Sequence, residues 1–368
     1  MAGASIGGRD APLDDAIAAA AALLSASRSA VVAGLATDIA GAEAAIALAR
    51  QIGGAFDHKH ANAALRDLDA MRDGGWIVAT AQQARALADL VLLVGPGLTR
   101  SWRLFSEQMR LETPPALAPD RARRVIRLCP GRESTPPALR GAGVQNIGLP
   151  PEDLPIVLGM LRACVGGRPL APGGRRTKLL SECAEALQAA RYGVAVWSAA
   201  WLDPLAIEML CGLIGDLNAK TRFAGLPLAA EDNAAGVMQA AGWLTGFPVR
   251  TGFGRQNPEH DPWRFDAVRM VESGEADAAL WISAASAEAP AWRRQVPLVA
   301  LVAEGTAFAA PPEVCINVGA PGVDHDAVLF DAHLQTLAAR PATAPRPLPR
   351  VADIVGRIGA ALRGAGAC

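Results

Sequence analysis

Residues 30–54 read AVVAGLATDIAGAEAAIALARQIGG and hold, in order, the elements of an α/β domain. The short apolar run Ala30–Gly34 is typical of a buried strand, and polar residues 37 and 38 indicate a turn. An alanine-rich helical pattern follows over Ile39–Ile52, and two glycines end it, as glycine often does at a helix C-terminus. The stretch predicts a strand, a turn and a helix, and with them an α/β fold.

The rest of the chain shows the same alternation in two halves. In the first half the patterns predict strands at 76–80, 90–94, 124–128 and 144–147 and helices at 12–25, 82–88, 101–111 and 151–164. In the second half they predict strands at 193–197, 274–283, 296–302 and 314–318 and helices at 177–190, 205–217, 261–273 and 351–362. We therefore predict two doubly wound Rossmann-like units, related by an internal repeat, that face each other across a shared crevice.

A Gly- and Pro-rich segment, GGRPLAPGGRR (166–176), marks the predicted boundary between two domains in this chain of 368 residues. We expect a first α/β domain at 1–165, a linker at 166–176 and a second α/β domain at 177–340. The Pro-rich segment and C-terminal helix at 341–368 are expected to pack back on the domains.

Composition excludes several classes of function. The formal net charge is -1 and the pI is near 6.5, so the chain has no basic excess for nucleic acid or a membrane surface. We expect no signal peptide, and the first apolar stretch, 16–24, is too short to span a bilayer. The six cysteines are far apart and form no CxxC pair, which indicates buried thiols in a reducing cytoplasm.

Two segments hold three of the five histidines and form the candidate site: QIGGAFDHKHANA (51–63) and TGFGRQNPEHD (251–261). Six of their polar residues are the candidate site residues: Asp57, His58, His60, Asn62, Arg255 and His260. We predict that the two segments lie on opposite sides of the crevice between the halves.

The HxH pair in the first segment has two interpretations. If the segment is extended, His58 and His60 lie on one face, as two zinc ligands require, and Asp57 is placed to orient one ring. The alternative is a solvated or hydrogen-bonded loop, because Lys59 opposes a bound cation.

His260 also has two interpretations. One is an acid or base with a raised pKa, and the other is a capping loop ahead of a helix that begins at Pro262.

Other motifs are weaker. Gly95 and Gly97 in GPGLTR give part of a dinucleotide fingerprint, and a tight strand-to-helix turn is the alternative. The sequence has no GxxxxGK or HExxH motif. Five arginines are candidates for binding carboxylates or phosphates: Arg100, Arg103, Arg110, Arg132 and Arg140. Six tryptophans lie in the second half, and any that are exposed would form a protein interface: Trp197, Trp201, Trp243, Trp263, Trp281 and Trp292.

Several segments together resemble a known family. QIGGAFDHKHANA, then ALADLVLLVGPG, and later TGFGRQNPEHDPWRFDAVRMVESGEADAALWIS are similar to the B subunit of formylmethanofuran dehydrogenase, over about residues 29–323. That family belongs with the molybdopterin-dependent oxidoreductases. The resemblance implies two facing α/β units of that type.

The thiolate ligands used by redox members of that family are missing. Such members hold an iron–sulfur cluster through N-terminal cysteines, and molybdenum or tungsten through a cysteine or selenocysteine shortly after the segment that matches 53–57. Here no cysteine precedes Cys129, and residues 60–64 read HANAA. Both centres require soft thiolate ligands, so we expect molybdopterin and the iron–sulfur cluster to be absent and no residue to be catalytic or metal-binding.

This combination resembles the B subunit of the bacterial formyltransferase/hydrolase complex, which acts in tetrahydromethanopterin-linked formaldehyde oxidation by methylotrophs. In that family the formyl group passes to a methanofuran-like carrier and is hydrolysed to formate on an amidohydrolase-like subunit. The resemblance implies a non-redox scaffold in a cytoplasmic hetero-oligomer with amidohydrolase-like and formyltransferase subunits. The six candidate residues then line the remains of a cofactor crevice.

Two alternatives stay open at this point. One is an active molybdopterin-dependent oxidoreductase subunit in which His58 or His60 replaces the sulfur ligand. The other is a nucleotide-binding module that uses Gly95 and Gly97.

Overall fold

The computed structural model describes residues 3–98, 109–116, 119–120, 122–130, 139, 144–171 and 173–365. The chain forms two compact units. Unit 1 comprises Met1–Ala61, Glu231–Phe330 and Leu337–Cys368, and unit 2 comprises Asn62–Ala230 and Asp331–Thr336. The main segment of unit 2, Asn62–Ala230, is therefore inserted between the first two segments of unit 1.

The predicted boundary at 166–176 is wrong. The segment connects two helices within unit 2, and strands on either side of it, at 90–94 and 192–197, pair in one parallel sheet. Glycine and proline end helices as well as linking domains, so composition alone does not separate the two cases.

The strands follow the chain in this order: β1 (Ala4–Ile6), β2 (Arg9–Asp10), β3 (Ala30–Ala36), β4 (Ala55–Phe56), β5 (Leu90–Val94), β6 (Arg124–Cys129), β7 (Val144–Gly148), β8 (Tyr192–Trp197), β9 (Arg222–Pro227), β10 (Thr251–Arg255), β11 (Asn257–His260), β12 (Ala278–Ser283), β13 (Leu298–Val302), β14 (Val314–Asn317), β15 (Ala327–Asp331) and β16 (Thr336–Arg340).

The helices are α1 (Leu13–Ala26), α2 (Ile39–Gln51), α3 (Ala61–Gly74), α4 (Ala81–Leu87), α5 (Leu154–Val165), α6 (Arg175–Ala189), α7 (Pro204–Leu217), α8 (Ala234–Thr245), α9 (Ala267–Ser273) and α10 (Val351–Ala365). None of the helices in the described ranges is long and apolar enough to cross a membrane.

The described part of unit 1 is built on a nine-stranded sheet of order β11-β10-β4-β3-β12-β13-β14-β1-β2. Its central strands β4, β3, β12, β13 and β14 are parallel, and antiparallel strands extend both edges. β3, β12 and β13 are completely buried, as expected of parallel strands covered on both faces. α9 packs on Val31 and Ala33 from one face.

The C-terminal helix α10 packs against α1 and α2 of unit 1. Gln51 Nε2 donates a hydrogen bond to Gly359 O at 2.9 Å, and Arg357 forms an ion pair with Asp14. The prediction of a C-terminal helix is correct, and its contacts to α1 and α2 lie within this one unit.

Unit 2 holds a parallel sheet whose order, over the described residues, is β7-β6-β5-β8-β9. Helices α5, α6 and α7 contribute to the apolar core on one face. The other face carries a second core that includes Ala81 and Ala84 of α4. Both units are thus α/β folds with largely parallel sheets.

Most predicted elements are present, but the structure differs from the prediction at several places. Residues 76–80 form only an isolated bridge, Val78 to Gly225, and the helix predicted at 261–273 begins at Ala267. The elements that were not predicted are helices α3 and α8 and strands β1, β2, β4, β9, β10, β11, β15 and β16. The helix predicted at 101–111 lies almost entirely outside the described residues.

Candidate functional site

The two candidate segments are neighbours in one sheet. Thr251 of β10 pairs with Phe56 of β4, and Gly252 pairs with Ala55, in antiparallel register. Both segments belong to unit 1 except for the end of the first, so the prediction that they face each other across a crevice between the halves is wrong. β4 is only two residues long and gains its second neighbour from β10, and the rings of Phe56 and Phe253 stack 5.9 Å apart in the core.

Asp57 follows the carboxyl end of β4 and holds three elements together. Its Oδ1 accepts a hydrogen bond from His58 N at 2.8 Å, and its Oδ2 accepts one from Ala267 N, at the start of α9, at 3.0 Å. Arg250 Nε lies 3.4 Å from Oδ2, and Arg250 Nη2 lies 2.5 Å from Asp266. Burial raises the pKa of Asp57 to about 7, and the Arg250 guanidinium only partly opposes this rise.

His58 is a neutral, buried side chain with both ring nitrogens engaged. Its Nδ1 accepts a hydrogen bond from His60 N at 3.0 Å, which assigns the proton to Nε2. Nε2 then donates to Asp232 O at 3.2 Å. Burial lowers the pKa of His58 to about 3, and the neighbouring His60 adds to this effect. Neither nitrogen therefore offers a lone pair to a metal.

Lys59 is the centre of a polar cluster that the sequence did not predict. Its Nζ lies 2.5 Å from Asp232 Oδ2 and 2.6 Å from Glu288 Oε2, and it donates to Ser286 Oγ at 2.7 Å. His60 Nε2 also contacts Asp232 Oδ2, at 3.0 Å. Burial opposes ionisation of Asp232, but hydrogen bonds from His60 and Lys59 outweigh it and hold its pKa well below the usual range. The signal in the sequence was Lys59 itself, since a lysine in an apolar segment needs a carboxylate partner.

The extended geometry required by the zinc interpretation is not present. Residues 59 and 60 lie in a turn, and the rings of His58 and His60 are 5.6 Å apart at an angle of 42°. No group of three or more His, Cys, Asp or Glu residues in the described ranges is arranged to hold a metal ion. The contacts favour the alternative of a hydrogen-bonded loop.

The three remaining candidate residues lie on elements other than this loop. Asn62 is in the first turn of α3 and belongs to unit 2, and Arg255 is exposed at the end of β10. His260 Nδ1 lies 3.0 Å from Arg250 O, and its ring stacks on Phe247 at 6.1 Å. The predicted helix start at Pro262 is wrong, because α9 begins at Ala267.

Comparison with known proteins gives the family. No protein-family model matches the chain. The B subunit of the formyltransferase/hydrolase complex Fhc from Methylorubrum extorquens is 35% identical over 351 residues, which cover 93% of this chain and 92% of that protein. A chain of the crystal structure of the same organism's FhcABCD complex, solved with methylofuran, matches with a TM-score of 0.88 and 34% identity over 99% of this chain and 100% of that one. The chain belongs to the family of Fhc B subunits.

A shorter similarity connects this member of the Fhc family to redox enzymes. The B subunit of the tungsten-containing formylmethanofuran dehydrogenase 2 of Methanocaldococcus jannaschii is 34% identical over 77 residues, which cover 21% of this chain and 18% of that protein. Both resemblances inferred from the sequence are confirmed.

The cysteines of this Fhc family member are poor soft ligands. Cys129 and Cys183 are buried in unit 2, and Cys164, Cys211 and Cys315 are half-buried. Burial raises the pKa of Cys183 to about 12 and that of Cys211 to about 11, so these thiols stay protonated at neutral pH. Cys368 lies outside the described residues.

The glycines of the partial dinucleotide motif serve packing within unit 2. Gly95 and Gly97 have φ of +86° and +71°. A methyl group on Gly95 would lie 2.5 Å from the Leu202 side chain, and one on Gly97 would lie 2.6 Å from Trp201 Nε1. Leu202 and Trp201 therefore occupy the space that a phosphate would need, which favours the tight-turn interpretation. Of the five candidate anion-binding arginines, only Arg110 lies in the described residues.

Proposed function

We propose that this chain is the non-redox B subunit of a cytoplasmic formyltransferase/hydrolase complex. The complex would move a formyl group from a tetrahydromethanopterin carrier to a methanofuran-like carrier and release it as formate. The observation that carries this proposal is similarity over 93% of the chain, at 35% identity, to a subunit of a complex with that name.

The proposal includes two Rossmann-like units of the molybdopterin oxidoreductase type that are related by a repeat. Its support is the order of the strands. β5, β6 and β7 are three successive parallel neighbours in unit 2, and β12, β13 and β14 are the same in unit 1. In each sheet the first of the three is also paired with a strand from another part of the chain, β8 or β3.

Iron–sulfur and molybdopterin–metal centres do not fit the donor set of the 57–64 region. Residues 58–64 contain no thiol, both nitrogens of His58 are hydrogen-bonded, and Lys59 brings an ammonium group to the same loop. Soft thiolate ligands are what these centres require. We therefore propose that Asp57, His58 and His60 are structural remnants of a cofactor crevice and that no step of the reaction passes through them.

Metal analysis of the co-purified complex tests the absence of redox chemistry. We expect molybdenum and tungsten to be far below one atom per copy of this chain, with no pterin released on denaturation. Stoichiometric molybdenum or tungsten with bound pterin would instead support the alternative, an active oxidoreductase subunit, which the shorter similarity to a tungsten enzyme motivates.

Formate release by the complex tests the structural role of His60. The variant His60→Gln should keep wild-type turnover, because the hydrogen bond of the ring within the described residues is to the carboxylate of Asp232. A general acid or base contributes about a hundredfold or more to rate. A loss of that size in a correctly assembled complex would show that the residue is catalytic.

Partner subunits, one amidohydrolase-like and one with formyltransferase activity, are expected to cover exposed apolar side chains. At the C-terminal end of α8, Trp243, Leu244 and Phe247 are 53%, 38% and 39% exposed. Trp243→Gln should reduce co-purification with the partner subunits, whereas Val328→Thr, at an exposed valine on β15, should not. Equal recovery of both variant complexes would exclude this patch as an interface.

A further inference from the structure

We propose that unit 1 binds a small organic anion in a pocket away from the 57–60 loop, with Arg255 binding the phosphate or carboxylate group of the ligand. The site is a pocket of about 400 Å³ whose lining includes Arg28, Gly254, Arg255 and Arg264. Nothing in the proposed function uses this pocket, and the inference does not depend on the assembly of the complex.

The pocket is separate from the 57–60 loop. Ala30 and Ala55, the first residues of β3 and β4, line it, so it opens at the amino ends of these parallel strands. Asp57 and His58 follow the carboxyl end of β4. β10 runs antiparallel to β4, which brings the end of β10, with Gly254 and Arg255, to the same edge as the pocket.

The carboxylates that line the pocket do not neutralise all of its arginines, so a guanidinium group remains available to a ligand. Glu259 accepts a hydrogen bond from Arg264 Nη1 at 3.1 Å. Both oxygens of Glu275 accept hydrogen bonds from Arg269 at 2.7 Å. The two carboxylates that line the pocket are therefore each paired with another arginine.

Arg28 and Arg255 are the remaining cations. Arg28 has one distant partner, Asp277 at 3.8 Å, and its side chain is 93% exposed. Across the described residues, the side chain of Arg255 makes no hydrogen bond or ion pair. A guanidinium offers a planar fork of donors that matches both carboxylate and phosphate. An anion between these arginines would neutralise charge that the protein leaves unmatched.

The wall of the pocket is open where a ligand would approach. Gly54 and Gly252 are required by packing, because a methyl group there would lie 2.5 Å from Ala30 O or 2.3 Å from the Phe265 ring. Gly254 has no such requirement: its φ is not in the left-handed region, and the nearest heavy atom to an added methyl group is Gly53 O at 3.9 Å. The absence of a side chain at Gly254 keeps the pocket accessible without serving the fold.

Titration of the full-length chain tests the proposal. Phenyl phosphate, benzoate and neutral benzamide are added at pH 7 and low ionic strength, and binding is followed by calorimetry and ligand-observed NMR. We expect at least one anion to bind and benzamide not to bind. The ratio of the two anion affinities then identifies the preferred head group.

Two variants and one control assign the binding to this pocket. Arg255→Gln should weaken anion binding about tenfold or more, since a charge-assisted hydrogen bond is lost. Gly254→Ala should also weaken anion binding, because the added methyl group narrows the pocket, and it should have little effect on the unfolding midpoint. Arg9→Gln, at an exposed arginine on β2 at the far edge of the same sheet, should leave it unchanged. Absence of anion binding by the wild-type chain, or equal affinity in Arg255→Gln, would overturn the proposal.

Discussion

Lys59 shows at the scale of single residues how the HxH pair is held in a hydrogen-bonded loop. Its side chain is only 7% exposed, its ammonium group is paired with Asp232 and Glu288, and His60 shares the same Asp232 oxygen. Asp232 has φ of 55°, in the left-handed region, and Asn233 beside it donates a hydrogen bond to Thr37 O at 2.8 Å. The loop and residues 232–233 thus hold each other in place within unit 1.

Removal of the Lys59 ammonium group should destabilise the protein. Lys59→Met leaves Asp232 half-buried with one cationic partner fewer, and breaking a buried ion pair costs about 3 kcal/mol. Lys178→Met is the matched control, because Lys178 is 81% exposed and its ion pair with Glu182 is long, at 3.9 Å. Urea unfolding measures both. If Lys59→Met lowers the free energy of unfolding no more than the control does, the structural role of the cluster is contradicted.

At the scale of elements, helix α3 is one that the sequence did not predict. Its sequence, ANAALRDLDAMRDG, is polar on average, and the HxH motif just before it suggested a loop. It is held to the unit 2 sheet by long-range contacts: Trp197 Nε1 of β8 donates to Asp67 Oδ1 at 2.9 Å, and Arg66 donates to Ala199 O at 3.1 Å. By contrast α2 was predicted within a residue, since its cap is local: Asp38 Oδ1 accepts from Gly41 N.

The pH dependence of stability should reveal the attachment of α3. Burial raises the pKa of Asp67 to about 7, so the folded chain keeps this proton between about pH 4 and 7 while the unfolded chain has lost it. The folded state binds more protons in that window, and its stability therefore falls as pH rises. Asp67→Asn still accepts from Trp197 but does not titrate. Relative to wild type, it should gain up to about 1 kcal/mol per pH unit from pH 4 to 7.

Chemical unfolding of both proteins at several pH values measures this difference. Glu43→Gln, at an exposed position of α2, is the control and should show no comparable trend. A stability difference between Asp67→Asn and wild type that stays constant with pH would mean that Asp67 is ionised in the folded chain.

At the scale of the whole molecule, the chain passes from one unit to the other at points that its composition does not mark. The chain leaves unit 1 after Ala61 and returns at Glu231, and neither point carries a run of glycine and proline. The Gly- and Pro-rich segment at 166–176 instead joins α5 to α6, and both helices contribute to the same apolar core. A boundary at 166–176 would separate β5 from its neighbour β8.

Chain fragments test this division. Fragment 62–230 contains the five described strands of the unit 2 sheet and should unfold cooperatively, with protected amides in β5 and β8. Fragment 1–165 has the same β5, β6 and β7 but lacks β8 and β9, and it should not show a cooperative transition. Heat or urea unfolding followed by circular dichroism compares the two. A cooperative fragment 1–165 beside an unfolded fragment 62–230 would restore the boundary predicted from composition.

The sequence by itself determined the α/β class, most helices, the central parallel strands other than β4 and β9, the absence of cysteine from the 58–64 region and the family resemblance. These follow from local patterns: apolar runs, caps and residue identity need no knowledge of distant neighbours. Only the tertiary structure decided that β10 pairs with β4, that Asp232 and Glu288 complete the Lys59 cluster, and that residues 62–230 are inserted in unit 1. Each depends on contacts between residues far apart in the chain, whose pairing no local pattern encodes.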